Sequence, residues 1–523
     1  MSHYADITEV LIVGAGPTGL MLANQLARRG VRPLIIDRHS GPALETRAIG
    51  VQARTLEIYS KLGIAERALA LGLRASAANM WANGRPTARI PLGDIGRSLS
   101  PFPFILMLGQ DDNERIMGER LAQFGVAVQW NTELTGLTQH AEQVEATVRQ
   151  PDGSLQTVRA RWLAGCDGAR SEVRELSGIA FPGAPYEHVF FVADTEATGS
   201  MRQGELNVYL WRDGFHLFFP MRGTQRWRVI GILPKALRGR AGLTFEAVVP
   251  SIRREAGSDL QFKSCSWFST YRIHHRAAER FRDRRCFLLG DAAHVHSPMG
   301  AQGMNTGLQD AYNLAWKLAL ATKRGAHTAL LDTYDAERRP VAERLLRTTD
   351  RAFQLVVGEG WFASLFRTRI LARVAARAMT LARVRRLAFR TISQIGIRYR
   401  SSVLSKTLAR LPQGAPVAGE RFPWLKLRLS TRSEVEDLFE MLDDTRFNLL
   451  VIGQPAPPVE SFGLGDLVVV HTLPDDPANG AELARAGVPA PAFYLLRPDG
   501  YIGLAGSHLD VGAAKQYLTA LRL

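Results

Sequence analysis

A glycine-rich turn near the start of the chain restricts its fold more than any other feature. Val10-Leu-Ile-Val13 is a continuous apolar run of the kind that forms a buried parallel strand, and Gly14-Ala-Gly-Pro-Thr-Gly19 follows at once. Helical spacing then appears at Leu20, Ala23, Leu26 and Ala27, stops at Gly30, and gives way to a second apolar strand, Leu34-Ile-Ile36, that closes on Asp37. In that setting Gly14, Gly16 and Gly19 permit a tight turn and bring the backbone against a pyrophosphate. The helix N-terminus stabilises the phosphate charge, and Asp37 accepts from ribose hydroxyls. A glycine turn without a ligand is the plain alternative. The complete order of strand, turn, helix, strand and acid favours a dinucleotide and leaves NAD and FAD undecided.

Length and composition narrow the rest. A chain of 523 residues predicts about three domains, and 46% hydrophobic with 22% charged residues excludes disordered, collagenous and coiled-coil classes. Three cysteines, Cys166, Cys265 and Cys286, form neither a disulfide framework nor a metal-site pattern and suit a reducing compartment. The net charge of +15 is carried by arginines that are mostly scattered, with one concentration between Arg367 and Arg400, so solubility accounts for it better than a nucleic-acid site. No apolar run is long enough to span a membrane and no signal peptide precedes the first strand, which predicts a cytoplasmic protein.

The pattern of elements predicts an α/β chain in which sheet segments interrupt the dinucleotide fold. The first fold occupies residues 1–75, 109–181 and 276–360. Strands of another layer fall at 76–108, and a β-rich block at 182–275. An arginine-rich helical region follows at 361–410, then a tail at 411–523 with strands near Phe447–Ile452 and Leu467–Leu473, a hairpin around Arg497-Pro-Asp-Gly500 and a closing helix.

Two later motifs break the tie between cofactors. Asp167-Gly-Ala-Arg-Ser-Glu-Val-Arg174 has the form DGxxSxxR, and Gly290-Asp-Ala-Ala-His-Val-His-Ser-Pro298 runs into Gly300-Ala-Gln-Gly-Met-Asn305. With the N-terminal glycines, and in the same order, these resemble the three signatures of the single-component FAD-dependent aromatic hydroxylases, the group A flavoprotein monooxygenases. The resemblance covers roughly the first 320 residues. It implies a Rossmann-like GR2-type FAD-binding domain with an inserted β-sheet substrate domain. The tail resembles the thioredoxin-like domain of the phenol-hydroxylase-type relatives. No cysteine follows Cys286, so redox chemistry there is excluded, and packing or dimer formation remains.

The resemblance also implies roles. Gly14, Gly16, Pro17, Thr18, Gly19, Asp37 and Arg38 belong to the ADP end. Arg47, Arg54 and Gln110 are placed near the phosphates and ribityl chain, where the planar arginine fork suits phosphate; surface arginines are the alternative. Gly290 and Asp291 are expected at the ribityl hydroxyls, although an aspartate there also serves as a helix cap. Gly300, Gln302, Gly303, Met304 and Asn305 are expected to turn backbone N–H groups toward the pyrimidine edge of the flavin. Asp167 and Arg174 are implied to serve FAD and the visiting NAD(P)H, with a structural ion pair as alternative. Pro298 borders the substrate ring in relatives and also contacts the cofactor. In Phe215-His-Leu-Phe-Phe-Pro220, His216 and Phe218 share one face, to meet an aromatic ring or simply to pack in a core. His294 reads better as a structural histidine than as a base.

The activity implied is hydroxylation of a small aromatic, phenolic substrate with NAD(P)H and O2 through a flavin C4a-hydroperoxide. FAD is bound, and the reductant is transient because no second glycine motif follows a convincing strand. A flavin-dependent reductase or epoxidase of a non-aromatic polyketide or isoprenoid is the alternative enzyme. A flavin-binding scaffold using its basic helix on nucleic acid is the alternative from another class.

Overall fold

A computed structural model describes residues 7–43, 48–212, 214–297, 300–357, 372–408, 411–428, 434–456, 458, 465–473 and 476–521. The opening unit forms because its strand is apolar on both faces: Thr8–Val13 lies between Leu155–Gly165 and Pro33–Ile36, parallel to both. Pro17, whose missing N–H costs nothing in a first turn, starts the helix Pro17–Arg28. These strands belong to an eight-stranded sheet that also holds Cys286–Leu288 and Val128–Gln129.

A second eight-stranded sheet is assembled from distant pieces. Ala77–Ala82 and Arg85–Pro91 join it through a parallel pairing with Leu206–Trp211, after which come Gly214–Pro220, Arg226–Ile232, Gly183–Thr198 and Gln261–Ala277. Leu106–Met107, grouped by its sequence with the 76–108 strands, departs from that expectation. It pairs with Gly50–Val51 and Leu73–Arg74 in a separate three-stranded sheet. The helix Phe245–Ala256 covers one face of the large sheet, burying Phe245, Val248 and Ile252 against Phe191, Phe218 and Trp227.

One short segment ties the two sheets together. Cys286–Leu288 is a strand of the first, and eight residues on His294–Val295 pairs with Arg276–Ala277 of the second. The loop between and after them therefore lies at the seam of the sheets. Helix Gly303–Lys323 leaves that loop, nearly all of its length buried, and packs on the first helix and on Ala329–Val357.

The tail is a thioredoxin-like α/β domain: a five-stranded sheet with Phe447–Ile452 beside Val468–Leu473 and Ala492–Leu496, and helices Pro477–Ala486 and Val511–Ala520. A buried charge cluster fastens it to the first domain. Arg497 reaches Glu337 at 2.5 and 3.0 Å, and Lys317 reaches Glu337 at 2.9 Å, with none of these side chains exposed. No helix among the described residues is long and apolar enough to cross a membrane.

Candidate active site

The nucleotide cradle is built by backbone geometry. Gly14 has φ +104° and donates its N–H to Ile36 O at 2.8 Å, and a side chain there would overlap the carbonyl of Cys166. At Gly16 a Cβ would meet nothing within 4 Å, leaving open space beside the first turn of a helix whose N–H groups have no intrahelical acceptor. Asp37, nearly buried, braces the turn by accepting the Ala15 N–H at 2.7 Å and the His39 N–H at 2.8 Å, and Arg38 beside it is exposed.

The glycine motif and the GD segment meet directly. An added Cβ at Gly290, which has φ +58°, would come 2.6 Å from Thr18 Oγ1, and one at Gly307 would overlap the same oxygen. Two glycines thus let the first helix approach the GD loop until Thr18 touches both. Asp310 then fixes that loop by accepting the Gly290 N–H at 3.1 Å and His294 Nε2 at 2.7 Å. Burial pushes the Asp310 carboxyl up, but the charges of Arg338 and His294 outweigh it and hold it below the usual carboxylate range. Asp291 stands exposed in the turn Gly290–Ala292.

At the other end the loop is braced by side chains. Asn305, fully buried, donates to Gly50 O and Ala301 O, both at 2.8 Å, and accepts from Gln52 N at 2.8 Å and Thr55 Oγ1 at 2.7 Å. Its side chain is therefore committed to protein, and what it offers a ligand is its backbone N–H in the first turn of the helix, with those of Gly303 and the half-buried Met304. Gln52 Nε2 holds Gly300 O at 3.0 Å, and Gln302 Nε2 holds Thr391 O at 3.2 Å. Gln110 starts the helix Gln110–Gln123 and gives its amide to Glu114 at 2.9 Å.

Several expected positions lie elsewhere. Arg54 does not face the nucleotide: it is buried under the tail domain, with Nη1 on Glu57 at 3.0 Å and Nη2 on Asp499 O at 2.6 Å. Asp167 and Arg174 are not paired with each other. Asp167 accepts from Ser171 Oγ at 2.6 Å and Val173 N at 3.1 Å, while Arg174 donates to Ala292 O and Ala169 O, both at 3.0 Å. His216 and Phe218 do share a face, but it is the one under helix Phe245–Ala256. His216 Nε2 is 3.0 Å from Glu255 Oε2, and Phe218 packs among Tyr209, Trp227 and Phe262. Neither is exposed, and the helix covers the face they share. Arg47 and Pro298 lie outside the described residues.

The opposite face of that sheet is the one turned to the nucleotide domain. Phe219 and Met221 pack with Ile49, Met107 and Ile105 of the small sheet next to Gly50. Cross-strand pairing extends the row from Phe219 to Arg228, Asp194 and Trp267. Arg228 grips Asp194 with Nε at 2.7 Å and Nη2 at 2.6 Å, a bidentate pair on the same face as Leu217, Ile230, Phe190 and Tyr271. Sequence alternation identifies Phe215, Leu217 and Phe219 as one face; nothing local says that it is the functional one.

His296, inside the Gly290–Pro298 segment, carries no role in the sequence motifs. Its Nδ1 donates to Ser297 O at 2.8 Å, so its Nε2 carries a lone pair, and that edge lies 3.7 Å from the position a Cβ would take at Gly303. Burial, then the neighbouring His294, pushes its imidazole down to about 4, so it is neutral at pH 7. The residues present fit FAD: open space at Gly16, two helix N-termini aimed at one seam, and glycines where side chains would collide.

Residues 7–349 match the FAD binding domain family. Over 540 aligned residues the chain is 34% identical to 6-methylpretetramide 4-monooxygenase of Streptomyces rimosus, covering all of this chain and 95% of that one. It is 33% identical to pentachlorophenol 4-monooxygenase of Sphingobium chlorophenolicum, covering 96% and 94%. Among solved structures, aklavinone-11 hydroxylase in a ternary complex with FAD and aklavinone superposes with a TM-score of 0.81 at 26% identity, over 99% of both chains.

Proposed function

The chain belongs to the FAD binding domain family and is an FAD-dependent monooxygenase that hydroxylates an aromatic substrate with NAD(P)H and O2; on that premise we propose that its substrate is a flat, polycyclic phenol. The observation that carries the reading is the flavin-side face of the large sheet. Leu217, Phe219, Ile230 and Phe190 make it broad and largely apolar, and a buried ion pair, Arg228 with Asp194, lies in the same face as Tyr271 and Ser269. The ring-hydroxylating relatives favour this over reduction or epoxidation of a non-aromatic polyketide or isoprenoid.

Bound FAD supplies reduction by the nicotinamide and activation of dioxygen. The chain's own residues bind, orient and exclude water. We assign Gly14, Gly16, Pro17, Thr18, Gly19, Asp37 and Arg38 to the ADP end, and Gln110, Gly290 and Asp291 to the ribityl chain. Gly300, Gln302, Gly303, Met304 and Asn305 are assigned through backbone groups to the pyrimidine edge, where a helix N-terminus favours negative charge. The apolar face keeps water from the ring. Three free thiols support operation in the cytoplasm. The reading has no place for nucleic acid, and the tail domain is assigned to intramolecular packing rather than to a homodimer.

Substrate-stimulated NAD(P)H consumption across phenol, naphthols and hydroxyanthracenes, with oxygen-18 mass analysis of product, tests the proposal. Tricyclic phenols are expected to stimulate consumption at least tenfold more than phenol, with one labelled oxygen incorporated. A preference for monocyclic phenols overturns it.

A further inference from the structure

The reaction needs a second dinucleotide, and the DG motif that the family resemblance assigns to it is occupied. Asp167 and Arg174 spend their polar atoms on Ser171, Val173, Ala292 and Ala169. A different part of the chain carries the charge that a dinucleotide requires. From Gly360 to Gly419 there is no Asp or Glu, while 11 arginines and Lys406 supply 12 positive charges, most of the chain's net +15. Within this stretch helices Ala372–Ala378 and Ala382–Ile392 carry Arg373, Arg377, Arg383, Arg385 and Arg386, all exposed, and the half-buried Arg390. Among the described residues no carboxylate lies within 4.0 Å of any of these six, whereas Arg398 and Arg400 share Glu420. Burial and the charges of Arg398, Arg421 and Arg386 hold the Arg390 guanidinium below its ordinary value, as expected where like charges gather.

This basic surface is fixed to the flavin loop. The ring of Phe389 is seated on Gly96, in a cluster with Ala53, Leu92 and Ile95. The end of helix Ala382–Ile392 is held by Gln302, which donates to Thr391 O at 3.2 Å and Ile392 O at 3.4 Å, and Gln394 donates to Thr306 Oγ1 at 2.8 Å. Gln302 directly precedes Gly303, where the flavin helix begins. The arginines therefore project from an element whose far end touches the flavin loop. Leu381 and Leu387, 61% and 68% exposed, stand between them and offer apolar support for an adenine ring.

Resting on the flavin monooxygenase reading, we propose that the arginine face of helices 372–378 and 382–392 is the docking site of the reduced nicotinamide dinucleotide. Its diphosphate and any 2′-phosphate lie across Arg383 and Arg386, and the nicotinamide end reaches toward Gly303. Charge complementarity selects the occupant: it is the polyanion that the reaction consumes, and it must leave after each turnover, as a surface held by exposed arginines allows.

The test uses the FAD-loaded full chain. NADP+ and NAD+ are titrated by calorimetry against wild type, an R383E/R386E variant and the milder R383Q/R386Q variant, at several salt concentrations. The expected result is dinucleotide affinity weakened at least tenfold by the glutamates and severalfold by the glutamines, with a shallower salt dependence and FAD affinity unchanged. Unchanged affinity in both variants overturns the site. So does that result accompanied by loss of wild-type binding to phosphatidylglycerol vesicles, which would make the face a lipid contact. If wild-type flavin is reduced by dithionite but by neither NADH nor NADPH, the underlying enzyme reading fails instead.

Discussion

Arg338 Nε and Asp310 Oδ1 meet at 2.6 Å with neither side chain exposed, and the same carboxylate accepts the backbone N–H of Gly290 in the flavin loop. Arg338 uses its remaining nitrogens on Tyr399 Oη at 2.8 Å and Thr306 O at 3.1 Å. Removing one partner of a buried pair strands the other charge, at about 3–5 kcal/mol. Arg338→Met is therefore expected to lower unfolding free energy by about that amount and to weaken FAD retention. Arg338→Lys, which keeps the charge but not the fork, should fall between. Urea denaturation of holoprotein, with released flavin followed by fluorescence, checks both.

The contact of Thr18 with Gly290 and Gly307 is a second point where small changes matter. Gly307→Ala forces a methyl against Thr18 Oγ1, with Gly290 Cα 3.1 Å away. Overpacking of this kind costs about 1–3 kcal/mol, and here it pushes apart the two segments that cradle FAD. A weaker FAD affinity is expected, partly recovered in the Thr18→Ala/Gly307→Ala double variant. Equal affinities of wild type and Gly307→Ala would contradict the close approach.

His296 sets an acid-side limit. Its imidazole is pushed down to about 4 by burial and by His294, from an ordinary value of 6.5. Between those values the unfolded chain binds a proton that the folded chain refuses. The stability from this source is full above pH 6.5 and is lost as pH falls through the window, by up to about 3 kcal/mol. His296→Gln should lose less stability than wild type between pH 7 and 4.5. Parallel denaturant midpoints for the two proteins would refute this.

The two faces of strand Gly214–Pro220 can be told apart by adjacent substitutions. Phe218→Ala empties a packed core beneath the sheet, costing about 3–5 kcal/mol, with little change in the order of preferred phenols. Phe219→Ala, on the half-buried flavin side, should cost less stability and raise KM for tricyclic phenols severalfold. Reversed effects would place the substrate under helix Phe245–Ala256.

Much of the site was legible in residue order because its constraints are local. Within one strand–helix–strand unit of about thirty residues, Gly14 donates to Ile36 O, Gly19 lies against the Gly14 carbonyl and Asp37 accepts from Ala15, whereas the close approach of Gly14 to Cys166 joins that unit to a distant strand. Gly290 and Gly300 are marked by their motif, but the contacts that need them, Thr18 against Gly290 and Gln52 on Gly300 O, come from the first sixty residues. Arg54 shows where this ends: its position after the first unit suits a phosphate ligand, but its partner Asp499 is 445 residues away and wins by burying the guanidinium under the tail domain. Asn305 shows a subtler limit, since the motif marks its place without saying that its side chain is spent on Gly50, Gln52 and Thr55.

From its residues alone, this protein was determined to be an α/β dinucleotide-binding chain with an inserted sheet, because backbone turns and apolar periodicity act over short spans and leave few folds that satisfy them; that the dinucleotide is FAD came from the resemblance carried by the two later motifs. Only the tertiary structure decided which face of the inserted sheet looks toward the flavin. Alternation along a strand defines two faces and gives neither a sign, and the sign came from where helix Phe245–Ala256 buried its apolar stripe. That packing sent His216 and Phe218 into a core and left Phe219 and Arg228 on the face turned to the nucleotide domain.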